Sequence, residues 1–259
     1  MRKNLIIGLF LLGFVGINLA QKTISNQNHA WVTYLGNHKI TNKFGVHTEY
    51  QWRREDGFNH WQQSLARIGL DYYVNPNLSV TAGYGWIITY PYGNQPILHQ
   101  FNESRIWEQI NTKAKYGGIE FQNRYRLEQR FLENYVKNTD GSITKSDNIF
   151  RQRVRYRGMV LVPLSKKEMS DNTLFLNMND EIFIGFGEGI GSNIFDQNRL
   201  NIALGWRFNK DFNVQVGYLN QYIEKSDGIR NERNNTLLIS TVYNFDFTKK
   251  KQNRCLRCR

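Results

Sequence analysis

Between residues 151 and 162 the chain alternates with period two. Arg151, Arg153, Arg155 and Arg157 point one way, and Val154, Tyr156, Gly158, Val160 and Val162 point the other. Such alternation marks a β-strand with one wet face and one apolar face. The segment before it repeats the rule, setting Glu120, Gln122, Arg124, Arg126, Glu128 and Arg130 against Ile119, Phe121, Tyr125, Leu127 and Phe131. Soluble strands run to about five or six residues, whereas a tilted strand crossing a bilayer needs about nine to eleven. Both runs have the bilayer-crossing length, and together they predict a transmembrane β-barrel.

The same pattern recurs along the chain, near 29–36, 42–54, 61–74, 78–90, 101–113, 116–133, 148–162, 173–186, 196–208, 212–224 and 233–247. It leaves no room for a helical domain, so one all-β, antiparallel barrel domain is predicted over 21–247. Tight turns are expected at Asn75-Pro76-Asn77, at Asn209-Lys210-Asp211 and around Lys115-Tyr116-Gly117-Gly118. Longer polar loops fall around 91–100, 134–147, 187–195 and 225–232. In bacterial outer-membrane barrels short turns face the periplasm and long loops face outward, and the strand number is normally even. The expectation is therefore about 12 strands, with an extra one around 21–28. Ten is the alternative, with that segment entering the lumen as a plug. Tyr243, Phe245 and Phe247 share one face at the end of the last segment. Such a terminal aromatic is typical of chains delivered to the barrel assembly machinery, which is expected as a partner beside outer-membrane lipid.

The two ends read differently. Arg2 and Lys3, the apolar run from Leu5 to Ile17 and Asn18-Leu19-Ala20 form a signal-peptide pattern over 1–20. Residues 248–259 are a basic tail, expected to be disordered, which holds both cysteines, Cys255 and Cys258. A single CxxC without a second ligand pair or a thioredoxin-like frame specifies neither zinc nor redox chemistry. Of the formal net charge of +12, Arg2, Lys3 and the tail's six basic residues carry eight, leaving +4 on residues 21–247. Basic residues interleaved with acids along strands are not the footprint of a nucleic-acid binder.

Alternation alone does not say which face is inside. A secreted lipocalin-like barrel, binding an apolar ligand, would turn its apolar face inward. The strand lengths, the signal pattern and the aromatic residues near strand ends (Trp52, Tyr72, Trp86, Tyr90 and Phe131) favour the inverse arrangement, with rings at the headgroup boundary. The charged faces then define a candidate lumen cluster: Glu49 and Arg53; Glu120, Arg124, Arg126, Glu128 and Arg130; Arg151, Arg153, Arg155 and Arg157. Glu120 and Glu128 are expected within reach of the arginines on the next strand. In a narrow lumen these groups must pair or be hydrated, so the cluster is either an ionic filling or a filter for solutes.

No catalytic constellation emerges. A barrel-wall lipid-modifying enzyme would need a serine within hydrogen-bond reach of its base. His47 has the charged-face position for that role, and Ser64 and Ser79 are on other strands with no spacing that unites them. No metal-ligand cluster and no phosphate-binding glycine loop before a helix suggests a cofactor, and Gly185-Phe186-Gly187-Glu188-Gly189 reads as a turn.

Four segments, taken in order, carry a family likeness: Glu49-Tyr50-Gln51-Trp52-Arg53; Arg124-Tyr125-Arg126-Leu127-Glu128-Gln129-Arg130-Phe131; Arg153-Val154-Arg155-Tyr156-Arg157; and Asp196-Gln197-Asn198-Arg199-Leu200. Over most of 29–247 the chain resembles domain-of-unknown-function family 2490, secreted proteins of Gram-negative bacteria. The resemblance implies an outer-membrane barrel and supplies no activity. The expected role is thus an envelope barrel, either narrow channel or structural and interaction protein.

Overall fold

The computed structural model describes residues 22–94, 96–188, 190, 194–225 and 227–248. Among the described residues eleven strands follow one another in sequence and close into a single barrel. They are β1 (Thr23–Lys39), β2 (Phe44–Glu55), β3 (His60–Asn75), β4 (Leu78–Thr89), β5 (Phe101–Tyr116), β6 (Ile119–Lys137), β7 (Ile143–Pro163), β8 (Thr173–Gly187), β9 (Phe195–Asn209), β10 (Phe212–Glu224) and β11 (Arg230–Tyr243). Every neighbouring pair is antiparallel except the seam, where Thr23–Leu35 of β1 pairs in parallel with Arg230–Val242 of β11.

This corrects the expected count of 12 or 10. The segment around 21–28 is neither a separate strand nor a plug, because from Thr23 onward it is the start of β1. An odd number of alternating strands leaves one like-directed pair, and a parallel ladder closes the ring there as well. The ladder's direction continues beyond β11: the Lys39 N–H donates to the Phe245 carbonyl at 2.7 Å, and the Phe247 N–H donates to that of Lys39 at 2.9 Å. The signal-peptide segment, Gln21 and the tail from Lys249, with both cysteines, lie outside the described residues.

The two ends of the barrel differ. At one, hairpins turn tightly after Asn75, Tyr116 and Asn209, and 164–172 is the longest connection. At the other, 90–100 and 188–194 are the long loops. The predicted loop over 134–147 is shorter than expected, because Asn134–Lys137 pairs with Ile143–Ser146 and the β6–β7 hairpin rises past its neighbours.

Period two sends charged and polar side chains inward and apolar ones out, as the alternation anticipates. Ile68, Tyr84 and Ile106 are laterally adjacent on the outer face of β3, β4 and β5 and are about half exposed. Tyr125, Tyr156 and Ile182 continue outward on β6, β7 and β8. Among the outer face's carboxylates, Glu108 accepts from the Gln129 amide at 3.2 Å and Asp180 from that of Asn198 at 2.7 Å. Inside, Gly69 and Gly83 are paired neighbours that make room for the buried indole of Trp107. A Cβ on Gly83 would fall 2.7 Å from that ring and 2.3 Å from the Ile68 carbonyl. Gly83→Val is therefore expected to cost about 1–3 kcal/mol by overpacking, read as a lower urea midpoint for the folded barrel.

Candidate functional site

The barrel interior is organised around one carboxylate. Glu128 projects inward from the middle of β6 and is 0 % exposed. Its oxygens accept from Arg153 on β7 at 2.6 and 3.0 Å, from Arg155 at 2.7 Å and from Arg67 on β3 at 3.2 Å. Arg105 and Arg126 approach to 3.7 and 3.9 Å. Five guanidinium groups thus surround one anion, and four further carboxylates complete the lattice. Glu49 accepts from Arg67 at 2.7 Å. Glu103 takes Arg130 at 2.7 and 3.0 Å and also pairs with Arg105. Glu181 on β8 accepts from Arg124 at 2.6 Å and Arg155 at 3.0 Å, and Asp196 accepts from Arg153 at 2.6 Å.

Flat side chains fill the spaces between the charges. The Arg53 guanidinium lies 3.9 Å from the centre of the buried Trp31 ring, and Arg199 lies 5.2 Å from it. Phe183 is faced by Arg153, Arg155 and Arg199 at 4.3–5.0 Å. Trp107 sits between Arg126 at 4.7 Å and the His47 ring at 5.3 Å. Guanidinium groups stack on aromatic faces more readily than ammonium groups do, which suits arginine rather than lysine to the positions beside these rings.

Two cavities flank this lattice. One of about 140 Å³, toward the long-loop end, is lined by Arg53, Arg105, Arg130 and Tyr92 among others. Tyr92, on the loop over 90–100, leans into that mouth: its hydroxyl donates to Glu232 at 3.0 Å and its ring meets His29 edge-on at 5.6 Å. The other cavity, of about 810 Å³, reaches the short-turn end at Asn42, Asn75 and Pro76. Arg155 and Arg199 line both cavities and so stand between them.

Most of the sequence-derived cluster converges here: Glu49, Arg124, Arg126, Glu128, Arg130, Arg153 and Arg155 are all lattice members. Arg53 stacks on Trp31 and donates to Gln63 at 2.6 Å, without a carboxylate partner among the described residues. Arg157 faces the larger cavity. Arg151 is near the long-loop rim, where its Nε donates to the Glu188 carbonyl at 2.9 Å. Glu120 does not join the arginines of β7, since it is opposite Leu161 and pairs with Lys115 at 3.1 Å near the short-turn rim. Sequence reasoning missed Arg67, Glu103, Arg105, Glu181, Asp196 and Arg199. The period-two rule applied to β3, β5, β8 and β9 would have found most of them.

The residues weighed for hydrolysis are apart in role. His47 Nδ1 is 2.8 Å from Asn37 Oδ1, whereas Ser64 meets Tyr50 and Ser79 meets Asn111. Among the described residues no group of three His, Cys, Asp or Glu side chains is arranged to hold a metal.

The architecture defines a class: a closed, eleven-stranded β-barrel with an ionic interior and a largely apolar exterior. Within that class the chain belongs to the family described as "Protein of unknown function (DUF2490)", whose model matches residues 28–233. No curated protein matches the chain. A solved structure titled "NanC porin structure in rhombohedral crystal form" is similar at 10 % identity, covering 83 % of this chain and 98 % of that one with a TM-score of 0.46.

Proposed function

We propose that the protein is an outer-membrane β-barrel whose lumen is closed to solute flow, a structural or ligand-holding component of the envelope. Its short turns and the larger cavity face the periplasm, its long loops face outward, and barrel assembly machinery inserts it. One observation carries the closed state: Glu128 is wholly buried among five arginines in the middle of the barrel, and Tyr92 folds into the outer mouth. Interleaved salt bridges and stacked rings occupy the space that an open pore would leave to water. Eleven strands enclose a much narrower interior than the sixteen to eighteen of an aqueous porin.

The test is electrical. Purified protein inserted in planar bilayers is expected to give no steady conductance above the empty-bilayer baseline. Regular single-channel steps from folded, heat-modifiable protein would replace this reading with that of a narrow channel. Recovery of the protein from the periplasm without detergent would overturn the membrane assignment itself.

A further inference from the structure

The larger cavity has two unlike walls. Arg124 and Arg157 face it from β6 and β7, with Glu181 on β8 paired to Arg124 and lying between Arg157 and Arg199 in the ladder, while Leu35, Leu238 and Val242 face it from β1 and β11, on the opposite side of the eleven-strand ring. Ala203 and Leu219 extend the apolar wall. At its closed end stands Arg199, shared with the smaller cavity.

Two of the cavity's arginines, Arg157 and Arg199, differ from those around Glu128. Arg157 has no carboxylate within 4.0 Å among the described residues, and its buried Nε has no hydrogen-bond partner. Arg199 likewise has no carboxylate at that distance; its Nε donates to Gln197 at 3.1 Å, and its terminal nitrogens have no protein acceptor among the described residues. Both side chains are partly exposed to the cavity, and the planar fork of a guanidinium is suited to an oxyanion. The volume of about 810 Å³ lies within the range of roughly 300–1,000 Å³ usual for small-molecule sites. A charge-seeking inner end continuous with an apolar side wall matches a ligand that carries both characters.

We propose that this vestibule binds a small amphiphilic anion, its oxyanion head held by Arg157 and Arg199 and its alkyl body laid along Leu35, Leu219, Leu238 and Val242. The access route from the periplasm rests on the membrane reading above; the site itself rests on two arginines without an ion-pair partner among the described residues and on the apolar surface that shares their cavity. Acetate or inorganic phosphate would satisfy the arginines and leave the apolar wall wet. An uncharged alcohol would do the reverse. Only the combined ligand uses both.

The protein is reconstituted in phosphatidylcholine nanodiscs, with arginine side chains labelled with ¹⁵N, and titrated with decanoate. Saturable shifts of the Arg157 and Arg199 Nε–H signals are expected, with decanoate binding at least tenfold more tightly than acetate, inorganic phosphate or decanol. Arg157→Gln combined with Arg199→Gln should abolish that preference while heat-modifiable gel migration persists. Leu238→Gln should weaken decanoate binding and leave acetate unchanged. Decyl phosphate distinguishes the sources of the head group: tighter binding than decanoate assigns a phosphate monoester, weaker binding a carboxylate, and both orders support the site. Equal binding of decanol, or of acetate and phosphate, would overturn it, as would inserted protein with no saturable shift. Failure to insert would instead remove the membrane reading, and the periplasmic access with it.

Discussion

Glu128→Gln is expected to lower the unfolding free energy of the barrel by about 3–5 kcal/mol, the range for breaking a buried ion pair and leaving charge uncompensated. The substitution keeps shape and removes one negative charge from among Arg67, Arg105, Arg126, Arg153 and Arg155. An amide still accepts hydrogen bonds, but its own N–H group then points at cations. Like-charge repulsion in a medium that screens poorly makes up the remainder. Glu120→Gln supplies the control, because Glu120 pairs near the rim with a largely exposed Lys115, and such pairs contribute about 0–1 kcal/mol. Urea titration of both variants folded into lipid vesicles reads the difference. Equal midpoints would mean that water fills the middle of the lumen and screens Glu128, and the closed reading would fall with that result.

The parts of this lattice legible in sequence are those that depend on adjacent strands. Arg153 meets Glu128 across one antiparallel ladder, where period two and a hairpin register bring them opposite each other. Arg67 reaches the same carboxylate from β3, and β4 and β5 lie between β3 and β6 in the ring. That contact exists only because the sheet curls until distant strands face each other, a property of closure rather than of local pattern. The start of β1 was hidden for a different reason. Asn26 and Asn28 point outward while Ser25 and Gln27 point inward, so both faces are polar and no hydrophobic alternation announces the strand. These residues at the start of β1 then decide the strand count, since extending β1 upstream to Thr23 takes up the segment that a twelfth strand would need. Tyr92 was hidden because a loop's entry into a barrel mouth depends on what receives it: Glu232 and His29 lie on other strands. Gly93 adopts φ +65° there, and a Cβ at that position would meet the Gln27 amide at 2.2 Å, so a larger residue would be strained and would displace that side chain.

Ile68→Arg is expected to cost about 2–4 kcal/mol of folded stability in a bilayer, the penalty for a cationic side chain at mid-depth on the lipid face of a barrel. Ile68 stands at the middle of β3, is 58 % exposed and has Thr48 and Tyr84 as its lateral partners. Its environment therefore depends almost wholly on the surroundings of the barrel and hardly on its protein neighbours. On a barrel surrounded by water the same change would fall within about 0.5 kcal/mol, as surface substitutions usually do. The measurement thus separates an outward apolar face that meets lipid from one that meets solvent, with the fold and the interior held constant. Glu108 and Asp180 sharpen the comparison. They are outward carboxylates already satisfied by Gln129 and Asn198, and acidic groups on the lipid face cost less than basic ones. Ile68→Glu should accordingly be destabilising by less than Ile68→Arg, whereas in water the two would be equivalent. A loss that is large for arginine, smaller for glutamate and absent for Ile68→Leu is the signature of a hydrocarbon boundary around β3.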